Sequence, residues 1–264
     1  MKARNHRQTL GLMLALIFAV CGSYASAAEK ASAKAPAATT GGVADRWVLW
    51  PKPGHEKEFE TAAKEHVAWR KAHGDPFAWT GYQPVVGTDL TYYVFRSNDH
   101  QWKDLDAEEA WGMKAKADEA YESQLGVHVQ KAVHFIEETD TEHSHLAGNL
   151  GDYKYFQVVT RNVKPGAGAD ARAAIAKIHK SLQDQKWPYS YRLAWLTGGK
   201  DSFRIILPLK SYADMAEPSP SVREVLAKAL GADDAAATLK QFGSSFELVD
   251  DTVFVVRPDL STQK

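Results

Sequence analysis

The 264-residue chain has a single cysteine, Cys21, and a formal net charge of only −1. One cysteine excludes an internal disulfide framework and a cysteine-built structural zinc site. Without a basic excess, a dedicated nucleic-acid binder is also excluded, since that function needs a concentrated positive footprint. No G-x-S-x-G elbow, H-E-x-x-H pair or phosphate-loop pattern occurs. The run Gly166-Ala167-Gly168-Ala169-Asp170 reads as a helix entry with Asp170 as cap material. Hydrophobic residues make up 44% of the chain, an ordinary share for a globular protein. The length allows one large domain or two small ones.

The long apolar run, Leu10 to Val20, follows Lys2, Arg4 and Arg7 and precedes Ala25-Ser26-Ala27, an A-x-A cleavage pattern. It is shorter than the roughly 20 residues a spanning helix needs. Residues 1–27 are therefore expected to be a signal peptide cleaved after Ala27. That implies a periplasmic or secreted protein with no integral membrane segment left after cleavage. Bulky Val20 before Cys21 departs from the small residue that lipoprotein signals share. Cleavage removes three basic residues and no acidic one, leaving 29 basic against 33 acidic, a net charge of −4 and no cysteine. Residues 28–44 have no large apolar side chain before Val43 and read as a flexible tether.

From Asp45 onward the chain repeats itself. Arg46-Trp47-Val48-Leu49-Trp50 followed by Lys52-Pro53-Gly54 opens one unit; Tyr155 to Thr160 followed by Lys164-Pro165-Gly166 opens another, about 112 positions later. Each Lys-Pro-Gly leads into a helical pattern. In the first, Phe59, Ala63, His66, Trp69 or Arg70, and His73 share one face; in the second, Ala171, Ala174, Ile175, Ile178, His179 and Leu182 do. Paired strand-like runs come next, Phe77–Val86 with Leu90–Phe95 and Tyr189–Leu196 with Phe203–Leu207. Their turns contain Gly87 and Gly199. Helical stretches follow at Asp104–Gln124 and Ser221–Phe242, the second interrupted at Gly231. Closing strands fall at Ala132–Ile136 and Ser245–Val249, with a further strand over Thr252–Val256.

Each unit thus reads β-α-β-β-α-β, the ferredoxin-like order. The expected architecture is α+β, with two tandem ferredoxin-like units packed as an internal pseudo-dimer. Residues 45–140 form the first unit, 141–150 a linker, 151–258 the second unit and 259–264 a tail.

On this element order and hairpin chemistry, Asp45 to Arg257 resembles the dimeric α/β-barrel superfamily, which includes antibiotic-biosynthesis-monooxygenase-like domains. That likeness implies two sheets facing each other, and the fold hosts many unrelated functions. Haem-degrading members resemble one another in a Trp ending the third strand and a His in the next helix. Here Phe95 holds the Trp position, and the helix around Asp104-Leu105-Asp106 has no His. Chlorite-dismutase-like members keep a His near the second-unit hairpin, where Leu193 to Gly199 has none. The resemblance therefore implies no haem, and no cofactor is expected.

His66 and His179 read as matched positions on the two first helices. A histidine there can serve as a general base or orienting donor, or simply as a hydrogen-bonded group at the core edge. His143 and His145, beside Glu142 and near His134, read as a solvated loop, and no metal site is expected. The runs Glu56-Lys57-Glu58 and Glu137-Glu138-Thr139-Asp140 read as solvated faces. Six of the eight tryptophans lie in the first unit, so any aromatic-lined pocket is expected there. Its candidate residues are His66 as the catalytic group and Trp69, Trp79, Tyr93, Asn98 and Trp102 as ligand contacts.

Three functional readings stand at this stage. The first is an exported binding protein for a small apolar or aromatic ligand. The second is a cofactor-independent monooxygenase-like enzyme on an aromatic substrate, with His66 as base. The third is a non-catalytic assembly module. A homo-oligomer is compatible with all three.

Overall fold

The computed structural model describes residues 42–146 and 150–262. The expected signal peptide, its cleavage site and most of the tether lie outside them. The first half contains β1 (Val43–Pro51), α1 (Glu56–Ala72), β2 (Trp79–Val86), β3 (Tyr93–His100), α2 (Trp102–Ala115), α3 (Ala117–Gln124) and β4 (Val129–Thr139). The second contains β5 (Tyr155–Val163), α4 (Gly168–Asp184), β6 (Arg192–Thr197), β7 (Ser202–Leu209), α5 (Val222–Leu230), α6 (Ala232–Ser245) and β8 (Phe246–Arg257). The structure is α+β, and no described helix is long and apolar enough to cross a membrane.

The eight strands close into one antiparallel barrel, ordered β1-β3-β2-β8-β5-β7-β6-β4. Each half contributes four neighbouring strands, β4-β1-β3-β2 and β8-β5-β7-β6. The seams pair β2 with β8 and β4 with β6. Closure satisfies the backbone groups that an open sheet would leave unpaired at its edges.

Strand alternation assigns the two faces of this wall. Val48, Tyr92, Val94 and Phe254 cluster on the barrel interior. Leu49, Tyr93, Phe95 and Trp79 face outward and pack beneath α1, which buries Phe59, Ala62, Ala63, His66 and Val67 on one stripe. The corresponding outer face of the second half is covered by α4, α5 and α6 around Phe203, Phe246, Ile175 and Leu226.

Several boundaries differ from the sequence expectation for local reasons. Val43 and Ala44, read as tether, already belong to β1 and are buried. The helical stretch after β3 breaks at Lys116, which adopts left-handed φ 58° and ψ 47° between α2 and α3. The two closing strands of the second half are one strand, β8. Its register jumps so that Thr160 faces Asp250 while Arg161 faces Leu248, which leaves Val249 as a bulge.

Residues after β8 pack onto the first half. Pro258–Leu260 makes a 3-10 turn, and Leu260 is completely buried in the core beneath α1. The Gly81 amide donates to Ser261 Oγ at 3.0 Å, and the Trp79 amide donates to Thr262 Oγ1 at 2.7 Å. A Cβ on residue 81 would sit 2.7 Å from both the Cβ and the carbonyl oxygen of Leu260, so this close approach requires glycine.

Candidate functional site

Between the outer wall of the first half and its helices lies a cavity of about 330 Å³. This is the lower end of the usual range for small-molecule sites. Its floor is Leu49, Trp79 and Phe95, one side is α1, and the roof is α2 and α3. Helix α2 buries none of its residues completely and meets the core beneath it through partly buried Leu105. Exposed Glu109, Met113 and Asp118 mark the mouth.

The polar groups converge from three elements. On α1, Arg70 donates from Nε to Asp75 at 2.5 Å and from Nη2 to Glu108 at 2.6 Å. Its guanidinium also lies over the rings of Trp79 and Trp111, at 5.1 and 4.9 Å. Asp75 accepts a second bond from the Trp79 indole at 2.9 Å, which locks that ring in the floor. Burial pushes the Glu108 carboxyl above the usual carboxylate range, against the opposing pull of Arg70. On β1 and β4, buried Asp45 is hydrogen-bonded to His134 Nε2 at 2.6 Å, and the His134 ring stacks flat on Trp47 at 4.2 Å.

His66 lies between these groups. Burial, and then the positive charge of Arg70, pull its imidazole down to about 4, so it is neutral at ordinary pH. Its Nδ1 is buried without a hydrogen-bond partner. The Gln124 side chain bonds the same ring and opposes that pull, and His66 lines the cavity. A neutral imidazole in the wall of a mostly apolar space can exchange a hydrogen bond or a proton with a bound molecule once its ring turns from Gln124.

The structure separates the candidate residues. His66 and Trp79 line the cavity. Trp69 stands behind His66, with ring centroids 5.7 Å apart, and stacks on His73. Tyr93 is buried under α1 against Phe59, and its hydroxyl donates to Glu60 at 2.6 Å. Asn98 belongs to β3 and lines the barrel interior, and Trp102 begins α2 with about half of its surface exposed.

His66 and His179 are not equivalent. Helices α1 and α4 superpose in sequence at a constant offset of 112, which pairs His66 with Ile178 and Val67 with His179. His179 instead accepts from or donates to the Tyr191 hydroxyl at 2.9 Å and meets the His143 ring edge-on. His143 in turn bonds Asp140, and His145 forms a backbone bridge with Tyr191.

Sequence reading missed Arg70, Asp45 and His134 in the cavity and misread Glu137. That residue, taken for part of a solvated run, is almost wholly buried inside the barrel among arginines. The signal was its position: on β4, residues 133, 135 and 137 alternate inward, while Glu138 alternates outward.

The closed antiparallel barrel with helices outside is the arrangement that the resemblance to the dimeric α/β-barrel superfamily implied. No family model matches the sequence, and no curated protein matches it. Among solved structures, a putative monooxygenase from Lactobacillus acidophilus is similar, with TM-score 0.51 and 8% identity over 84% of this chain and 95% of that one. A mutant chlorite dismutase from Candidatus Nitrospira defluvii gives TM-score 0.51 and 12% identity over 84% and 94%. An anthrone oxidase-like protein gives 0.50 and 10% over the same shares. At such identities the likeness is one of fold.

Proposed function

We propose that this chain is an exported small-molecule-binding protein built of two ferredoxin-like units packed as an internal pseudo-dimer, with its ligand site in the first unit. The observation that carries the reading is the cavity itself: an aromatic floor, a neutral imidazole and an oriented Arg70–Glu108 pair beneath α2 and α3. Such a site takes a flat, largely apolar molecule with one polar edge turned towards His66. The repeated strand order supports the tandem-unit reading, and the targeting pattern of residues 1–27 supports export. Native mass spectrometry of the protein from its own host tests binding: a reproducible extra mass, lost in Trp79→Ala, is expected. A bare mass, together with no change in tryptophan fluorescence on adding anthrone, would defeat it.

A second reading, a cofactor-independent oxygenase, is favoured by the neutral His66 and by the fold shared with a putative monooxygenase and an anthrone oxidase-like protein. An imidazole held at about 4 is a weak base. It suits a carbon acid whose anion is delocalised and can be stabilised by Arg70. With anthrone as the probe, oxygen would be consumed one-for-one as the substrate CH₂ becomes C=O and water leaves. His66→Ala should abolish that uptake without loss of folding; uptake that survives the substitution would remove His66 from the reaction.

A further inference from the structure

The barrel interior carries more positive charge than its own residues neutralise. Four arginines, Arg46, Arg96, Arg192 and Arg204, turn inward from four different strands. Arg46 and Arg96 stand directly opposite one another across the β1–β3 ladder, where like charges repel. One buried carboxylate, Glu137, serves the group. It accepts from Arg204 Nη1 and from Arg96 Nε at 3.0 Å, and Arg46 Nε lies 3.7 Å away. Burial alone would raise the Glu137 carboxyl, but Arg204, Arg96 and Arg46 outweigh it and hold it at about 2.

Arg192 feels the charge of Glu137 but makes no hydrogen bond to it. It reaches Asn98 Oδ1 at 3.4 Å and the mostly exposed Asp99 at 3.6 Å. Three guanidinium nitrogens, Arg96 Nη2, Arg192 Nε and Arg204 Nε, are buried with no hydrogen-bond partner among the described residues. Next to them is a cavity of about 70 Å³, whose remaining wall is chiefly apolar, including Val94, Phe156 and Phe254. A water needs about 10–15 Å³ by this measure, so the space holds a molecule of a few heavy atoms.

Uncompensated buried charge and unpaired buried donors are each costly, and their concentration around one void calls for an anion. Planar guanidinium forks match a carboxylate bidentately, and the apolar wall favours a short hydrocarbon chain over a fully hydrated inorganic ion. We propose that the barrel interior is a binding site for a small organic monocarboxylate, seated between Arg96, Arg192 and Arg204. The strand wall separates this site from the cavity beneath α2, so it does not depend on the function proposed for that cavity.

Propionate is the probe, titrated into the whole mature protein at constant ionic strength set with chloride. A saturable one-to-one heat is expected in calorimetry, together with a melting temperature that rises with propionate and not with equal chloride. Arg192→Gln removes the guanidinium with the weakest internal partners and should weaken propionate binding by about tenfold or more. Glu137→Gln removes the internal competitor and should tighten it. If that variant does not fold, Arg192→Gln still decides the question. No saturable heat, or an affinity unchanged in Arg192→Gln, overturns the site. An equal rise in melting temperature with inorganic phosphate overturns its assignment to carboxylates.

Discussion

The two halves of the barrel share an element order but close their outer faces differently. On α4, Ile175, Ile178 and Leu182 fill the space between helix and sheet; at the matching places α1 carries Ala63, His66 and Arg70. In the second half α5 and α6 both bury side chains, whereas of α2 and α3 in the same places α2 buries none and α3 only Ala117. Smaller and more polar side chains on α1, under a helix with no fully buried residue, leave a cavity where the second half has core. Two halves with the same strand order can thus differ in whether they hold a cavity through helix side chains alone.

If that contrast is right, aromatic truncation should cost unequal amounts in the two halves. Phe203→Ala removes a fully buried ring from the filled core and should lose about 3–5 kcal/mol in urea unfolding. Phe95→Ala enlarges an existing cavity and should lose about half as much. Equal losses would mean the two cores are packed alike.

Next in size is the pH response of His66. Its imidazole ionises near 6.5 when unfolded and near about 4 in the folded protein, so the unfolded state takes up the proton first. The associated stability is full above pH 6.5 and is lost as pH falls towards 4, by about 3 kcal/mol at the limit. His66→Gln should flatten the stability profile over that window by a similar amount. Profiles that superimpose would place the histidine in a wetter setting.

Ala63→Ile copies the second half into the first. It should prevent anthrone or any native ligand from entering while changing stability by no more than about 1 kcal/mol. Unimpaired binding would move the ligand elsewhere. The smallest effect expected is at the α2–α3 break. Lys116→Gly relieves a left-handed backbone and should stabilise the protein by up to about 1 kcal/mol in thermal unfolding. A loss would show that the lysine side chain contributes more than its backbone costs.

Much of this fold was legible because its signals are local. Alternation marked the strands, three–four spacing marked α1 and α4, and the glycine turns marked the hairpins. The β2–β8 and β4–β6 seams left no local trace, since pairing between halves depends on closure. The same limit governed the site. His66 and Trp79 could be placed by their elements, but Asn98 and Trp102, expected beside them, depend on where β3 ends. Asn98 instead continues β3, and three steps from outward-facing Phe95 it must point inward. The arginines were legible in principle, each at an inward position of a strand, but their meaning depends on four strands meeting around one void.

Leu260 has a consequence for the order in which the protein can be completed. The half synthesised first lacks a core side chain that lies at the far end of the polypeptide, and Gly81 leaves the vacancy it must fill. While the ribosome is still making β8, β2 also has no partner on its open flank. The earlier-made half is thus the later to be finished. The first half's core stays incomplete until the turn after β8 has packed beneath α1, which gives that turn the role of a latch on assembly.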